Sequence, residues 1–212
     1  MNILGLNAYH ADAAACLVRD GKVVAAAEEE RFRRIKHWAG FPAEAIRFCL
    51  ADQGLTLADI DVVAVNSRPR SNLLRRAGYA LTHRPDPDLV IDRIRNQSKR
   101  IGIEAELARA FSGQPFGGHI GRIEHHLAHL ASAFFVSPFR DAVAVSVDGF
   151  GDFASAGWGA GHGAQLTIDG HVWFPHSLGI FYQAITQHLG FWAYGDEYKV
   201  MGLAPYGESR LL

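Results

Sequence analysis

Apolar and polar positions fall into blocks that predict several strands, a helix and a strand, and later a second series of the same kind. "NILGLNA" is an apolar run closed by a polar residue, and it predicts a buried strand. In "AAACLVRDGKVVAAAEEE", Asp20-Gly21 separates two apolar, partly β-branched runs, which is a hairpin signal. "FPAEAIRFCLADQGL" carries apolar residues at Ala45, Ile46, Phe48, Cys49 and Leu50, with a proline near its start and a glycine at its end. That pattern predicts an amphipathic helix, and "DIDVVAVNS" predicts the strand after it.

From Ala142 the outline recurs. "AVAVSVDGFGD" predicts an apolar strand ending in Asp-Gly, and the stretch after it alternates up to a turn at Asp169-Gly170. "GIFYQAITQHLGF" predicts a helix stopped by Gly190. Two strand–strand–strand–helix series predict a duplicated α/β architecture with mixed sheets. Between them, Arg68 to Arg100 is rich in Arg, Pro and Asp. It lacks the aromatic platforms of a nucleic-acid module, so a solvated, partly helical insertion is expected.

Composition narrows the function classes. A chain of 212 residues with 49% hydrophobic and 20% charged residues can bury a sizeable core. A formal net charge of -1 argues against a general polyanion binder, so no nucleic-acid partner is expected. Cys16 and Cys49 form no disulfide framework and suit a reducing cytoplasm. The opening "MNILGLNAYHADAAACLV" lacks a basic leader, and Asn7, His10 and Asp12 interrupt its apolar run. With no apolar run near the ~20 residues of a membrane helix, a cytoplasmic protein without a membrane partner is expected.

Candidate chemistry gathers in "IEHHLAHLASAF". On a helix, His125 and His129 lie one turn apart on one face and can grip one ion, whereas His126 points about 100° away. The same residues would also suit a helix whose histidines are half-buried and hydrogen-bonded. No HExxH signature is present, so a zinc protease has little support. Asp148, expected at a strand end before a glycine turn, is the natural third ligand. Two imidazoles and a carboxylate leave open positions, as in iron or manganese sites that touch substrate. Glycines 149 and 151 would let a ligand approach the backbone. His10 and Asp12 fall in a small-residue turn between the first two strands, and Lys36 and His37 lie beyond the third. Lys36 could contact phosphate or carbonyl oxygens as a point charge. "YGDEYKVMGLAPYGE" has the turn chemistry of a substrate-lining loop.

Together, "GLNAYHADAAACLVRDGKVVAAAEEERFRRIKHWAGFP", "EHHLAHLASAFFVSPF", "VDGFGD", "HSLGIFYQAIT" and "DEYKVMGLAPYG" resemble the bacterial O-carbamoyltransferases that decorate antibiotics and nodulation-type oligosaccharides. The resemblance runs from Met1 to about Gly207 and is weakest in the Arg-rich middle. It implies an actin-like ATPase-type fold, similar to the metalloprotein that makes threonylcarbamoyladenosine in tRNA. Residues 1–141 would form a first subdomain, with the insertion at about 68–100, and 142–212 the start of a second.

A further C-terminal domain of the family makes carbamoyl-adenylate from ATP and carbamoyl phosphate. The actin-like part passes the carbamoyl group to a hydroxyl of a small-molecule acceptor, with a divalent metal of the Fe(II) type holding the adenylate phosphate. Carried over, His125, His129 and Asp148 match metal ligands, Lys36, Asp148 and Gly179 match positions around the adenylate, and His10 matches a proton-transfer or orienting group. The family's "DASAAL" reads "DAAACL" here, with Ala14 in place of a small hydroxyl residue. The adenylate-forming domain and a later Asp ligand are expected to lie on a missing C-terminal portion or a separate subunit. Alternatives are a relative that transfers threonylcarbamoyl to tRNA, or a truncated nucleotide- or metal-binding module without turnover.

Overall fold

The computed structural model describes residues 1–68, 71–83 and 102–208. The chain divides into two compact units, Met1–Ala128 and His129–Leu212. Both combine helices with β-sheet, mixed in the first unit and antiparallel in the second, which makes the protein α/β.

In the first unit, β1 (Asn2–Asn7), β2 (Ala14–Arg19) and β3 (Lys22–Glu28) run antiparallel as the alternation predicts. Asp20 and Gly21 turn the hairpin at φ 50° and 80°, the two positive values that a two-residue turn of right-handed twist demands. The parallel strands β4 (Val62–Val65) and β5 (His119–Arg122) complete the order β3-β2-β1-β4-β5. The register puts Leu4 beside Leu17 and Val63, and Leu6 beside Ala15 and Val65. These residues join the core with Ala45, Ile46, Cys49 and Leu50 of α2 (Ala43–Asp52), since α1 is the single turn Glu30–Arg33. β5 and a helix at Ile103–Ala110, which buries Ile103 and Leu107, go beyond the sequence expectation. The Arg-rich stretch is helical over Leu73–His83. The remainder of that expectation lies largely outside the described residues.

Glu29 is fully buried at the end of β3. One carboxylate oxygen accepts from Arg33 Nε at 2.9 Å and the other from the backbone N–H of Ala45 at 2.8 Å. It thereby satisfies an open donor in the first turn of α2, which starts at a proline with no capping side chain. Glu29→Ala should lower stability by about 2–3 kcal/mol, through lost charge-assisted bonds and an unsatisfied buried N–H. A lower urea midpoint at unchanged slope would report it.

The second unit holds β6 (Asp141–Gly151) against β7 (Ala154–His162), with β8 (Gln165–Leu166) and β9 (Gly170–Trp173) both pairing with β7. The helix His125–Phe134, numbered α5 after those at 73–83 and 103–110, crosses the division between units. Its Leu130 and Phe134 pack on Ala144 of β6. On the other face of the sheet, Val143, Val145 and Val147 of β6 and Trp158 of β7 are exposed.

Two expectations are corrected here. β6 does not end at Asp148 but runs on to Gly151, its ladder interrupted between Val147 and Gly151, and the turn falls at Asp152-Phe153 with positive φ at both. "YGDEYKVMGLAPYGE" is not a loop. After α6 (Leu178–His188), it forms α7 (Glu197–Leu203) and a 3₁₀ turn at Ala204–Tyr206. A Lys199–Asp196 ion pair at 2.6 Å, three residues apart, supports the first turn of α7. Among the described residues, no helix is long and apolar enough to cross a membrane.

Candidate metal centre

The carboxyl ends of parallel strands are where open α/β sheets place their chemistry. At that edge of the first sheet, Asn7 follows from β1, Asn66 from β4 and Glu124 from β5. Asn66 Nδ2 donates to Asn7 Oδ1 at 3.2 Å, and Asn7 Nδ2 donates to the carbonyls of Ala11 and Asp12 at 3.2 and 2.9 Å. Asn7 thus fixes the loop that carries His10 and Asp12. The His10 ring lies against that of His125, with centroids 5.6 Å apart.

Glu124 opens α5 by accepting the Leu127 N–H at 2.7 Å, a carboxylate at the positive end of a helix. Because α5 is continuous, His125 and His129 occupy one face, one turn apart, whatever surrounds them. His125 is nearly buried and His126 fully so, its ring edge-on to His125 with centroids 5.2 Å apart. His126 therefore packs, and it is the other two that project along the shared face.

His129 Nε2 stands 3.5 Å from Asp148 Oδ2, with the two side chains 47% and 36% exposed. One ligand atom from each of His125, His129 and Asp148 lies within 4.8 Å of the other two. Two ligands at about 2.1 Å from one ion sit roughly 3.0–3.4 Å apart by simple geometry, close to the 3.5 Å of the His129–Asp148 pair, and a shared cation would draw the whole set in from its 4.8 Å limit. The donor set, two imidazole nitrogens and a carboxylate oxygen, fits a divalent transition metal with open positions.

Asp148 is aimed by its surroundings. Its Oδ1 accepts the Gly149 N–H at 2.6 Å, which leaves Oδ2 toward His129. Ser177, the N-cap of α6, accepts the Ile180 N–H at 3.1 Å and directs its hydroxyl to the carbonyls of Asp148 and Gly149 at 3.1 and 2.8 Å. The helix start can approach this closely because residue 179 is glycine. A Cβ there would lie 2.5 Å from the Asp148 carbonyl oxygen. Gly179 thus has a packing task against the very peptide that carries the carboxylate. Ser177 and Glu124 are missing from the sequence expectation, although a serine before an apolar helical run is itself a capping signal.

Lys36 lies exposed in the turn after α1. Its neighbour His37 pairs through Nδ1 with Asp12 Oδ1 at 2.9 Å. Burial pushes the Cys49 thiol up to about 11 and raises Cys16 as well, so neither supplies thiolate near neutral pH. One cavity of about 660 Å³, lined by Leu57, Phe111, Phe116 and His119, opens at the amino-terminal end of β5, away from His10 and His125.

A family model described as the carbamoyltransferase N-terminus matches residues 2–211. An uncharacterized protein of Synechocystis is 38% identical over 216 residues, covering 99% of this chain and 35% of the relative. The nodulation protein NolNO of Sinorhizobium fredii is 37% identical over 206 residues, covering 95% of this chain and 28% of that protein. The chain thus spans about a third of the length of the curated relatives it matches. Among solved structures, YeaZ from Pseudomonas aeruginosa is similar over 80% of this chain and 64% of that one, at a TM-score of 0.42 and 18% identity. So distant a likeness carries no further argument.

Proposed function

The chain belongs to the carbamoyltransferase family, and on that premise we propose that it is the amino-terminal, actin-like part of an enzyme moving a carbamoyl group from carbamoyl-adenylate to a hydroxyl acceptor. In this proposal the donor comes from ATP and carbamoyl phosphate on the remaining portion of the polypeptide or on a separate subunit. The acceptor is a hydroxylated sugar or natural product, and the setting is cytoplasmic. The exposed valines of β6 with Trp158 offer that remaining portion an apolar surface to cover.

The observation that carries a metal-assisted transfer is the donor set of His125, His129 and Asp148. These residues would hold a divalent ion of the Fe(II) type, which supplies charge neutralisation at phosphate oxygens. The chain's own groups do the rest. Gly179 and Ser177 keep the Asp148 carboxylate in place. Lys36 stabilises negative charge gathering on the carbonyl and phosphate oxygens of the adenylate. His10, held against His125, is a base or an orienting group at the reacting centre. The acceptor oxygen attacks the carbamoyl carbon, the carbon–oxygen bond to phosphate breaks, and AMP leaves.

The test supplies the chain with carbamoyl-adenylate and a panel of hydroxylated acceptors. It is run with and without the polypeptide that follows the matched third in the Synechocystis relative. Mass spectrometry should find an acceptor heavier by one carbamoyl group. Absence of transfer in both conditions would overturn the proposal.

A further inference from the structure

Two loops of the first unit are stitched together at the carboxyl edge of its sheet. The Tyr9 N–H donates to the Gly40 carbonyl at 3.1 Å and the Ala13 N–H to the Trp38 carbonyl at 2.9 Å. The His37 N–H donates to Glu30 Oε2 at 3.2 Å, tying the second loop to α1. Within this small assembly four non-glycine residues sit in the left-handed region: Tyr9 at φ 59°, Asp12 at 60°, Arg34 at 58° and His37 at 54°. Each is a strained conformation for a residue with a side chain.

The side chains held by this strain include Asp12 and His37, whose Oδ1 and Nδ1 lie 2.9 Å apart while the side chains remain 52% and 35% exposed. An exposed ion pair contributes too little to stability to offset the strain in its own two residues. What the arrangement secures is orientation. A carboxylate at Nδ1 selects the tautomer with its proton there and leaves the lone pair on Nε2. Asp12 is only two residues from His10, whose ring meets His125, so one member of the pair shares its loop with a proposed site residue. His10 instead lies against the ring of His125, itself a member of the metal donor set, a position suited to orienting rather than accepting a proton.

We propose that the Asp12–His37 pair is the general base of the transfer, with His10 left the orienting role. This rests on the carbamoyl-transfer proposal above. As the acceptor oxygen bonds to the carbamoyl carbon, its proton passes to His37 Nε2. The carbamoyl carbon–oxygen bond to phosphate breaks, its electron pair leaves with AMP, and His37 then returns the proton to solvent.

Glycine tolerates the left-handed backbone at 37, so His37→Gly should fold. In the transfer assay it should lose about 10²–10⁴-fold in kcat, with the acceptor KM little changed. Imidazole added to the buffer should restore a measurable part of that rate, which it could not do for a lost structural contact. Asp12→Asn, also tolerant of this backbone, should lower kcat and move the His37 proton from Nδ1 to Nε2 in ¹⁵N spectra. Wild-type rates in His37→Gly would overturn the assignment. So would imidazole rescue of His10→Gly but not of His37→Gly, or an unchanged His37 tautomer in Asp12→Asn. If wild type itself transfers nothing, the carbamoyl-transfer proposal falls first and this one with it; an active wild type with an unaffected His37→Gly sinks this one alone.

Discussion

Alanine at His129 should weaken the affinity of the proposed site for a divalent ion at least about 100-fold. That is the upper end of what outer-shell changes alone produce at metal sites. His129 is the residue whose Nε2 faces Asp148 Oδ2 at 3.5 Å, so its loss leaves one imidazole and one carboxylate. His125→Ala should behave alike. His126→Ala should retain metal in the folded protein but lose about 2–4 kcal/mol of stability, because that ring is fully buried and its removal leaves a cavity. Metal content after anaerobic Fe(II) loading and dialysis, read beside urea unfolding, separates the two kinds of loss. Equal metal in all three variants would sink the ligand assignment.

Gly179→Ala should damage stability and metal affinity together. The added Cβ would lie 2.5 Å from the Asp148 carbonyl oxygen and 2.8 Å from the Gly149 nitrogen, both backbone atoms with little room to yield. The amino end of α6 must move away or β6 must bend, at about 1–3 kcal/mol for overpacking of this kind. Either response shifts the Asp148 carboxylate off its alignment with His129. Ser177→Ala, which removes the cap without adding bulk, should cost about 1 kcal/mol. It should also loosen metal binding less. Thermal unfolding and a metal titration on both variants check the order. A Gly179→Ala protein with wild-type melting and wild-type affinity would contradict the close approach.

Much of the secondary structure was legible because its signals are local. The Asp20-Gly21 hairpin, the amphipathic α2, α5 and α6 each follow from turn chemistry or apolar spacing within one segment. β5 escaped because "HIGR" is four residues with one large apolar side chain, and it is a strand only because β4 offers it a parallel edge. The stretch "YGDEYKVMGLAPYGE" read as a loop because its three glycines and acidic residues are turn formers. An ion pair from Lys199 back to Asp196 supports a helix instead. Asp148 was singled out by residue type and misplaced by position, since Asp-Gly normally ends a strand and here sits in an interrupted stretch of one.

The sequence by itself determined the family and the pairing of His125 with His129. Five motifs in order, and a helical period that holds wherever the helix lies, require no knowledge of neighbours. Only the tertiary structure decided which oxygen of Asp148 faces His129, why position 179 must be glycine, and that Asp12 meets His37 across 25 residues. Those contacts join segments far apart in the chain. They are selected by packing and by the satisfaction of buried polar groups, neither of which leaves a periodic trace in the sequence.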